Sequence, residues 1–318
     1  AALKTNSELG SHYPIHPNDD VNKSQSTNDT FPAAIQISVV TEIIKKLVPS
    51  IRQLTEVLDR KSNEWKDLIK IGRTHFQDAV PITLGQEVSA WSKQLKDAED
   101  SLIISLDELF FLPLGGTAVG TGINCPKEFS EESIKIISSE TNLLFYKSNN
   151  HFSIMASHDR LAQVMSQIKI LASALFKISN DIKILSAGPR AGIYELIIPQ
   201  NEPGSSIMPG KVNPTQCEAL SMVCTQIMGF EYAVSMANSS GTLQMNEYKP
   251  LIGFNILTSL KLLKNGINSF RLNLIEGMKP NDQKIKVNLE NSLMLVTALV
   301  PQIGYEKAAE IANLAFDQ

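Results

Sequence analysis

Cysteine is scarce in this chain. Its 318 residues include only Cys125, Cys217 and Cys224, and no two of them form a Cys-x-x-Cys pair. A sparse, odd-numbered set excludes a disulfide framework. It predicts reduced and mostly packed thiols in a reducing compartment.

An excess of positive charge is also missing. The chain has 29 Lys and Arg against 33 Asp and Glu, a formal net charge of −4. The chain thus lacks the excess of positive charge that binding to nucleic acid or to an anionic membrane would require. No apolar run approaches the roughly 18 residues that a membrane span needs, and no signal peptide is visible. We therefore expect no nucleic-acid partner and no membrane span.

The motifs of several enzyme classes are absent as well. The sequence contains no Gly-x-Gly-x-x-Gly fingerprint, no Walker A loop and no Gly-x-Ser-x-Gly elbow. His12 and His16 are not arranged with cysteines or another histidine at a metal-ligand spacing. These absences argue against nucleotide-dependent and structural-zinc proteins, and we expect neither a metal nor a cofactor.

What the chain does have is long helical periodicity. One run of apolar residues alternates spacings of three and four, which is a heptad seam: Leu161, Val164, Ile168, Leu171, Leu175, Ile178, Ile182 and Leu185. Two more helices carry Leu84, Val88, Trp91, Leu95, Ala98, Leu102 and Leu106, and Ile256, Leu260, Leu263, Ile267, Phe270 and Leu274. Such lengths predict an all-α fold, an elongated central bundle of long helices.

Prolines punctuate these patterns. A helix over about 32–62 is expected to kink or split near Val48, because Pro49 lies inside it. Pro214 is expected to open a helix over roughly 214–237, and Pro250 another just before the third apolar run.

The polar segment 199–214 is the first candidate site. Gly204 and Gly210 permit a loop that moves, and Lys211 and Asn213 stand just ahead of the helix that Pro214 opens. A cation and an amide at a helix N-terminus favour a bound anion such as a carboxylate. A loop that merely decorates a helix start is the alternative.

Two further polar segments are candidates. His75, which follows Thr74 in the polar segment 71–83, could be a general acid or base, and a carboxylate such as Glu218 could support its charged form. Ser26, Thr27 and Asn28 offer hydrogen bonds to carboxylate oxygens. The alternative for that run is an N-cap for a helix beginning near Pro32, and both readings can hold together.

At this point the residues resemble a known family. Gly204-Ser-Ser-Ile-Met-Pro-Gly-Lys-Val-Asn213 matches the signature of the fumarase/aspartase superfamily, and 16–29 and 72–78 are similar to its two other conserved regions. Within the superfamily, Pro214-Thr-Gln-Cys-Glu-Ala219, the segment 291–298 and Asp19 resemble class II fumarases rather than aspartases.

The resemblance implies a hydro-lyase of the tricarboxylic acid cycle. Such an enzyme adds water to fumarate, reversibly and stereospecifically, to make (S)-malate, and it is metal-independent. By analogy, Ser205 takes the C3 proton of malate, while His75, paired with Glu218, handles the water or hydroxyl at C2. Lys211 and Asn213 would stabilise the carboxylate as it gains charge.

The resemblance also implies binding residues. Ser26, Thr27, Asn28, Thr74 and Asn213 would bind the substrate carboxylates.

A second dicarboxylate site, which is not catalytic, is implied by the same resemblance. His16, Asn18 and Asp19 match that site of the family. Its usual upstream basic residue is missing, because no Arg or Lys lies between Ser11 and Ile15.

The ends depart from the family pattern. Relatives carry an N-terminal segment with a Ser-Gly-Thr substrate loop and a small C-terminal domain, and both are expected to be largely missing here. We expect residues 1–300 to form the central helical-bundle domain and 301–318 to begin a truncated C-terminal domain. The family forms homotetramers whose composite active sites take residues from three chains.

Three functions remain in competition. The first is an active fumarate hydratase, in the cytoplasm if bacterial and in the mitochondrial matrix if eukaryotic. The second is an aspartate ammonia-lyase of the same superfamily. The third is a catalytically silent helical-bundle fragment. Activity towards fumarate and towards aspartate discriminates among them.

Overall fold

The computed structural model describes residues 2–317 and is mostly helical. Eleven α-helices are assigned in that range: α1 Thr27–Glu42, α2 Val48–Glu64, α3 Leu84–Ile104, α4 Phe129–Thr141, α5 His151–Ala156, α6 Asp159–Leu185, α7 Thr215–Asn238, α8 Lys249–Phe270, α9 Asp282–Glu290, α10 Val300–Ile303 and α11 Tyr305–Phe316. The predicted all-α class is confirmed.

Short strands accompany the helices. They are β1 Ile69–Thr74, β2 Gln77–Thr83, β3 Phe111–Leu112, β4 Tyr146–Lys147, β5 Leu196–Ile197 and β6 Lys279–Pro280. They pair in twos: β1 with β2 antiparallel, β3 with β4 parallel and β5 with β6 antiparallel. The helices therefore form most of the fold, and the short strands pair segments of the chain that lie between helices.

Where a kink or split near Val48 was predicted, the regular α-helical pattern is interrupted just before Pro49. Helix α1 is followed by a π-helical turn over Ile43–Leu47, and α2 begins at Val48. Proline lacks the N–H that would continue the ladder, and its ring crowds the preceding turn. The expected start near Pro32 is wrong, because Ser26 caps α1 and the helix begins at Thr27.

The apolar stripes are core, as predicted. All eight seam residues of α6, from Leu161 to Leu185, are buried, and so are the predicted apolar positions 84–106 and 256–274. Each fully buried Leu or Ile contributes on the order of 1.5–3 kcal/mol through removal of apolar surface from water. These residues build the scaffold and leave the chemistry to the segments between helices.

Helix α6 meets the length and composition criteria of a membrane span. It is the one such helix of 18 residues or more within residues 2–317, with a mean hydropathy of 1.3 over its most apolar stretch. A core helix of a soluble protein passes the same criteria, and 44% of this stretch is buried. Because its seam is buried throughout, we interpret α6 as a core helix.

The chain divides into two compact units. The first contains the residues up to Val48 together with Asp100–Lys169 and Gln226–Leu262, and the second contains Pro49–Glu99, Ile170–Thr225 and the residues from Leu263 onward. The division into a domain of residues 1–300 and a further one from 301 stays a prediction.

One buried histidine of the first unit makes stability depend on pH. Burial, helped by the positive charge of Lys249, lowers the pKa of His158 to about 4 from an ordinary value of 6.5. Between these two values the unfolded chain binds more protons than the folded one, so folding stability falls as the pH falls from 6.5 towards 4. The free energy of unfolding should fall by about 3 kcal/mol over this pH range.

We therefore expect His158→Gln to flatten the pH dependence of unfolding. The difference in Tm between pH 6.5 and pH 4.5 should be smaller in this variant than in the wild type. His12→Gln, at an exposed position, is the control and should leave the difference unchanged. Identical curves for wild type and His158→Gln would contradict the assignment.

Candidate active site

The signature segment 204–213 forms a loop closed at its base. The Asn213 side-chain amide donates to the Gly204 carbonyl at 2.6 Å. A Cβ at Gly204 would lie 1.6 Å from the Lys211 carbonyl oxygen, so only glycine permits this close approach. Ile207 at the tip is 82% exposed. The loop thus has a fixed neck and a tip open to solvent.

Within the loop, the Ser205 hydroxyl oxygen accepts two backbone hydrogen bonds. The N–H groups of Ile207 and Met208 lie 3.3 and 3.1 Å from Oγ. Lys211 is exposed, and Glu218 is exposed in the first turn of α7. A hydroxyl, an ammonium group and a carboxylate are therefore presented along the segment that leads into one helix start.

The Asn213 side chain holds the base of the loop together, which was not predicted. One hydrogen of its amide group is committed to the Gly204 carbonyl, and the second hydrogen and the carbonyl oxygen remain for other partners. Its substrate contact stays a prediction.

The polar segment that carries Thr74 and His75 is a β-hairpin. Strands β1 and β2 pair from Ile69 opposite Thr83 to Thr74 opposite Gln77. His75 and Phe76 form the two-residue turn, with φ values of +54° and +62°. Positive φ at both positions belongs to the type I′ turn, which normally prefers Asn-Gly. The usual sequence signal for such a turn is absent here.

His75 and Glu218 are not partners within one chain. His75 is exposed at the hairpin tip, and no hydrogen bond or ion pair of the described residues joins it to Glu218. Their pairing stays a prediction that requires a second copy of the chain.

A buried carboxylate lies beneath the hairpin, and sequence reasoning missed it. Glu195 is fully buried and accepts from Arg73 through both guanidinium nitrogens, at 3.1 and 2.7 Å. Burial alone would raise the pKa of Glu195, but the Arg73 hydrogen bonds, the Lys70 charge and Asn288 outweigh it and hold the pKa below its ordinary value. An acid inside the apolar run Ile193-Tyr-Glu-Leu-Ile-Ile198 was the available signal.

Ser26 caps α1, which confirms the alternative reading of that run. Its hydroxyl oxygen accepts from the Asn28 N–H at 3.2 Å, and the Asp29 carboxylate accepts from the Ser26 N–H at 2.9 Å. Capping uses the oxygen and leaves the hydroxyl hydrogen free to donate. Thr27 is exposed, while Asn28 donates to the Ala118 carbonyl at 2.8 Å.

Capping and substrate binding can be separated by experiment at these adjacent hydroxyls. Ser26→Ala should lower the free energy of unfolding by about 1 kcal/mol, because it removes an N-cap. Thr27→Ala should leave it within about 0.5 kcal/mol, because its side chain is exposed. If both bind the substrate carboxylate, KM rises in both variants. An unchanged KM in both would remove the pair from the substrate site.

The predicted second site comes together at a π-helical turn over Pro17–Val21. His16 precedes the turn, and its Nδ1 accepts from the backbone N–H groups of Asn18 and Asp19, both at 3.1 Å. This contact fixes Nδ1 as an acceptor, which leaves the proton on Nε2. Ligand binding there stays a prediction.

Within the part of the chain that the structure describes, no group of three or more His, Cys, Asp or Glu side chains could hold a metal ion. Burial raises the pKa of the Cys217 and Cys224 thiols to about 12. Both stay protonated at neutral pH and serve as packed core residues, as predicted.

This chain is similar to known proteins over most of its length. A family model described as lyase matches residues 2–229. A fumarate hydratase class II from Prochlorococcus marinus subsp. pastoris is 86% identical over 318 residues, covering 100% of this chain and 69% of that protein. The crystal structure of a class II fumarase from Schistosoma mansoni superposes with a TM-score of 0.96 at 44% identity, covering 99% of this chain and 69% of that one.

The chain belongs to the class II fumarase family.

Class II fumarases of lower sequence identity also match this chain. A fumarate hydratase class II from Bacillus subtilis is 50% identical over 308 residues, covering 97% of this chain and 67% of that protein. The chain thus spans about two thirds of the length of these class II fumarases. That the loop 204–213, the hairpin tip and the cap of α1 contribute to a substrate site stays a prediction.

Proposed function

We propose that this chain acts as a fumarate hydratase and interconverts fumarate and (S)-malate. The geometry of the signature loop carries the proposal: a serine hydroxyl is held by two backbone N–H groups, with Lys211 six residues further along. Support also comes from its 86% identity to a protein of that name.

Ser205 is the proposed base in the direction from malate. A neutral hydroxyl is a weak base, so Ser205 must first release its proton to solvent before its oxygen can accept one from C3. The Ile207 and Met208 N–H groups aim at Oγ and favour its charged form, as an oxyanion hole does. Closure of the loop over the substrate would exclude water and strengthen these bonds.

The roles of the other site residues follow from the charges that develop during the reaction. When Ser205 removes the C3 proton, the electron pair moves into the adjacent carboxylate, and Lys211 and Asn213 stabilise the added negative charge. His75 then donates a proton to the leaving hydroxyl at C2, which departs as water. Ser26, Thr27, Asn28 and Thr74 hold the carboxylates of the substrate through neutral hydrogen bonds.

A homotetramer with composite sites is part of the proposal. His75 and Glu218 are both exposed and lack a mutual contact within one chain, as parts of a shared site would be. Helix α7 exposes Met222 (67%) and Met236 (53%), with open space around Gly229 midway between them. The seven-residue spacing places these three on one face, which suits close packing of a second helix.

Sedimentation tests the assembly. We expect a tetramer in analytical ultracentrifugation, because composite sites need several chains. A clean monomer that retains full activity would contradict composite sites. The bacterial source of the relatives, Prochlorococcus and Bacillus, leads us to propose the cytoplasm as its compartment.

The reaction itself is tested by following the conjugated-alkene absorbance of fumarate without added metal or cofactor, with aspartate deamination measured in parallel. Loss of fumarate with formation of malate and no release of ammonia from aspartate is expected. Ammonia release would favour the ammonia-lyase function, and inactivity of a folded tetramer towards both substrates would contradict catalysis by this chain.

A further inference from the structure

The hairpin that presents His75 has a strained tip. His75 and Phe76 both adopt left-handed φ values, which cost a non-glycine residue of either kind. Phe76 is 75% exposed, so contacts at the tip do not impose this conformation. The body of the hairpin must therefore hold it.

Few side chains anchor that body. In β1, Lys70 and Ile71 are buried, whereas β2 has no buried residue. Lys70 is only 1% exposed, which is unusual for a lysine and requires a paired negative charge. Beside the apolar Ile71, the buried side-chain anchor of the hairpin is therefore a charged one.

Two cations of β1 meet at one carboxylate, on either side of a bulge in the hairpin. The register shifts between Ile71 and Arg73, where the single residue Gly72 of β1 stands opposite residues 79 and 80 of β2. A Cβ on Gly72 would lie 2.8 Å from the Val80 carbonyl oxygen, so the bulge needs glycine at this position. Lys70 and Arg73 flank this glycine, and both reach the same partner.

That partner is Glu195, and its two oxygens are fully used. Arg73 donates to both oxygens, the Lys70 ammonium lies 3.1 Å from Oε2, and Asn288 donates to Oε1 at 2.9 Å. A forked arginine contact fixes direction as well as distance. Lys70 also pairs with Glu87 at 2.8 Å, which balances its remaining charge.

Glu195 also fixes the start of the segment that leads to the signature loop. It directly precedes β5, and its backbone carbonyl accepts from the Asn281 N–H at 2.9 Å. The carboxylate cannot shift without moving either this backbone or the hairpin. Its position is therefore set by the scaffold and transmitted to β1.

We propose that Glu195 is a positioning residue for His75: by gripping Arg73 and Lys70 across the bulge, it holds the hairpin tip where the imidazole can act at C2. The proposal rests on the function proposed above for His75. Glu195 touches no substrate, and its effect reaches the reaction through the placement of one side chain.

The test is Glu195→Gln in the complete protein. The amide keeps the shape but places an NH₂ group against cationic donors. We expect kcat to fall by about 10- to 100-fold with KM within about threefold, because misplacement of a catalytic group by about 1 Å can cost 10²-fold while carboxylate binding elsewhere is untouched. In a His75→Asn background the same change should alter kcat by less than about threefold.

A matched control separates positioning from stability. Glu99 is also buried and accepts from an arginine, Arg52, at 2.6 Å, but it lies on α3. Glu99→Gln should lower Tm and leave kcat unchanged. Equal losses of kcat in Glu99→Gln and Glu195→Gln, or an undiminished effect of Glu195→Gln in the His75→Asn background, would overturn the positioning role.

A second variant covers the case in which Glu195→Gln does not fold. Arg73→Lys keeps the charge but loses the fork, and it should reproduce the fall in kcat in a folded protein. Wild-type kcat in folded Arg73→Lys would overturn the proposal. Wild-type kcat in His75→Asn would instead contradict the function proposed for His75, and the positioning role with it.

Discussion

Ser205→Ala is expected to lower kcat by about 10²- to 10⁴-fold, the range over which a positioned proton-transfer group accelerates a reaction. The substitution removes one hydroxyl from a half-buried loop position, and Ser205 makes its described hydrogen bonds with the backbone of its own loop. KM should change little, because Ser205 is not among the residues proposed to bind the substrate carboxylates. Tm should fall by no more than a few degrees.

Ser206 supplies the matched control. It is the next residue, it is exposed, and the same loss of a hydroxyl at that position should leave kcat within about twofold, as surface changes usually do. Steady-state rates with malate, where removal of the C3 proton is the step in question, are the measurement. If Ser205→Ala retains wild-type turnover, Ser205 is not the base.

A primary isotope effect sharpens the assignment. Malate deuterated at C3 should react more slowly than ordinary malate in any variant whose proton removal limits turnover. We expect this effect to be larger in Ser205→Ala than in the wild type. A loss of rate with no isotope effect would mean that the substitution slowed another step, such as loop closure.

The helices could be predicted from the sequence because their signal is local. The seam from Leu161 to Leu185 and the break before Pro49 depend on residues within a turn or two of one another, and the structure follows both. The hairpin at 69–83 could not be predicted in this way. Its turn residues, His75 and Phe76, oppose their own conformation, and its anchor Glu195 lies 122 residues beyond Arg73.

The candidate site residues were also predictable only where the signal is local in the sequence. Residue types and their order indicated Lys211 and His75, whereas Ser205 and the roles of all three came from family resemblance and not from spacing. Asn213 was predicted to bind substrate, and its contact with the Gly204 carbonyl depends on a loop geometry that residue types do not encode. The sequence indicates no more than a possible cap at Asp29, because its partners Gly115 and Thr117 lie 86 and 88 residues further along the chain.

Asp29→Ala is expected to lower the free energy of unfolding by about 3–5 kcal/mol. The side chain is fully buried, and it accepts backbone hydrogen bonds from Ser26 at 2.9 Å, Gly115 at 3.1 Å and Thr117 at 3.0 Å. Each backbone N–H left without a partner costs about 1–3 kcal/mol. Total stability is only about 5–15 kcal/mol, so the variant should be marginal.

The effect should reach the substrate site as well. Thr117 is a β-branched residue held at φ +55°, a conformation that persists only where surrounding contacts impose it. Without the carboxylate, the loop around Thr117 should relax and withdraw the Ala118 carbonyl from Asn28. We therefore expect KM for fumarate to rise in whatever fraction remains folded.

Asp20→Ala is the control for a carboxylate that caps the backbone at the surface. Asp20 accepts from the His16 N–H at 2.7 Å but is exposed, so water can replace it and the loss should stay near 0.5 kcal/mol. Urea unfolding gives the stabilities, and amide hydrogen exchange at Gly115 and Thr117 reports the local opening. Equal stabilities for the two variants, with the amides of Gly115 and Thr117 still protected, would show that Asp29 does not hold the loop around Thr117. The position of the Ser26–Asn28 segment would then depend on α1 alone.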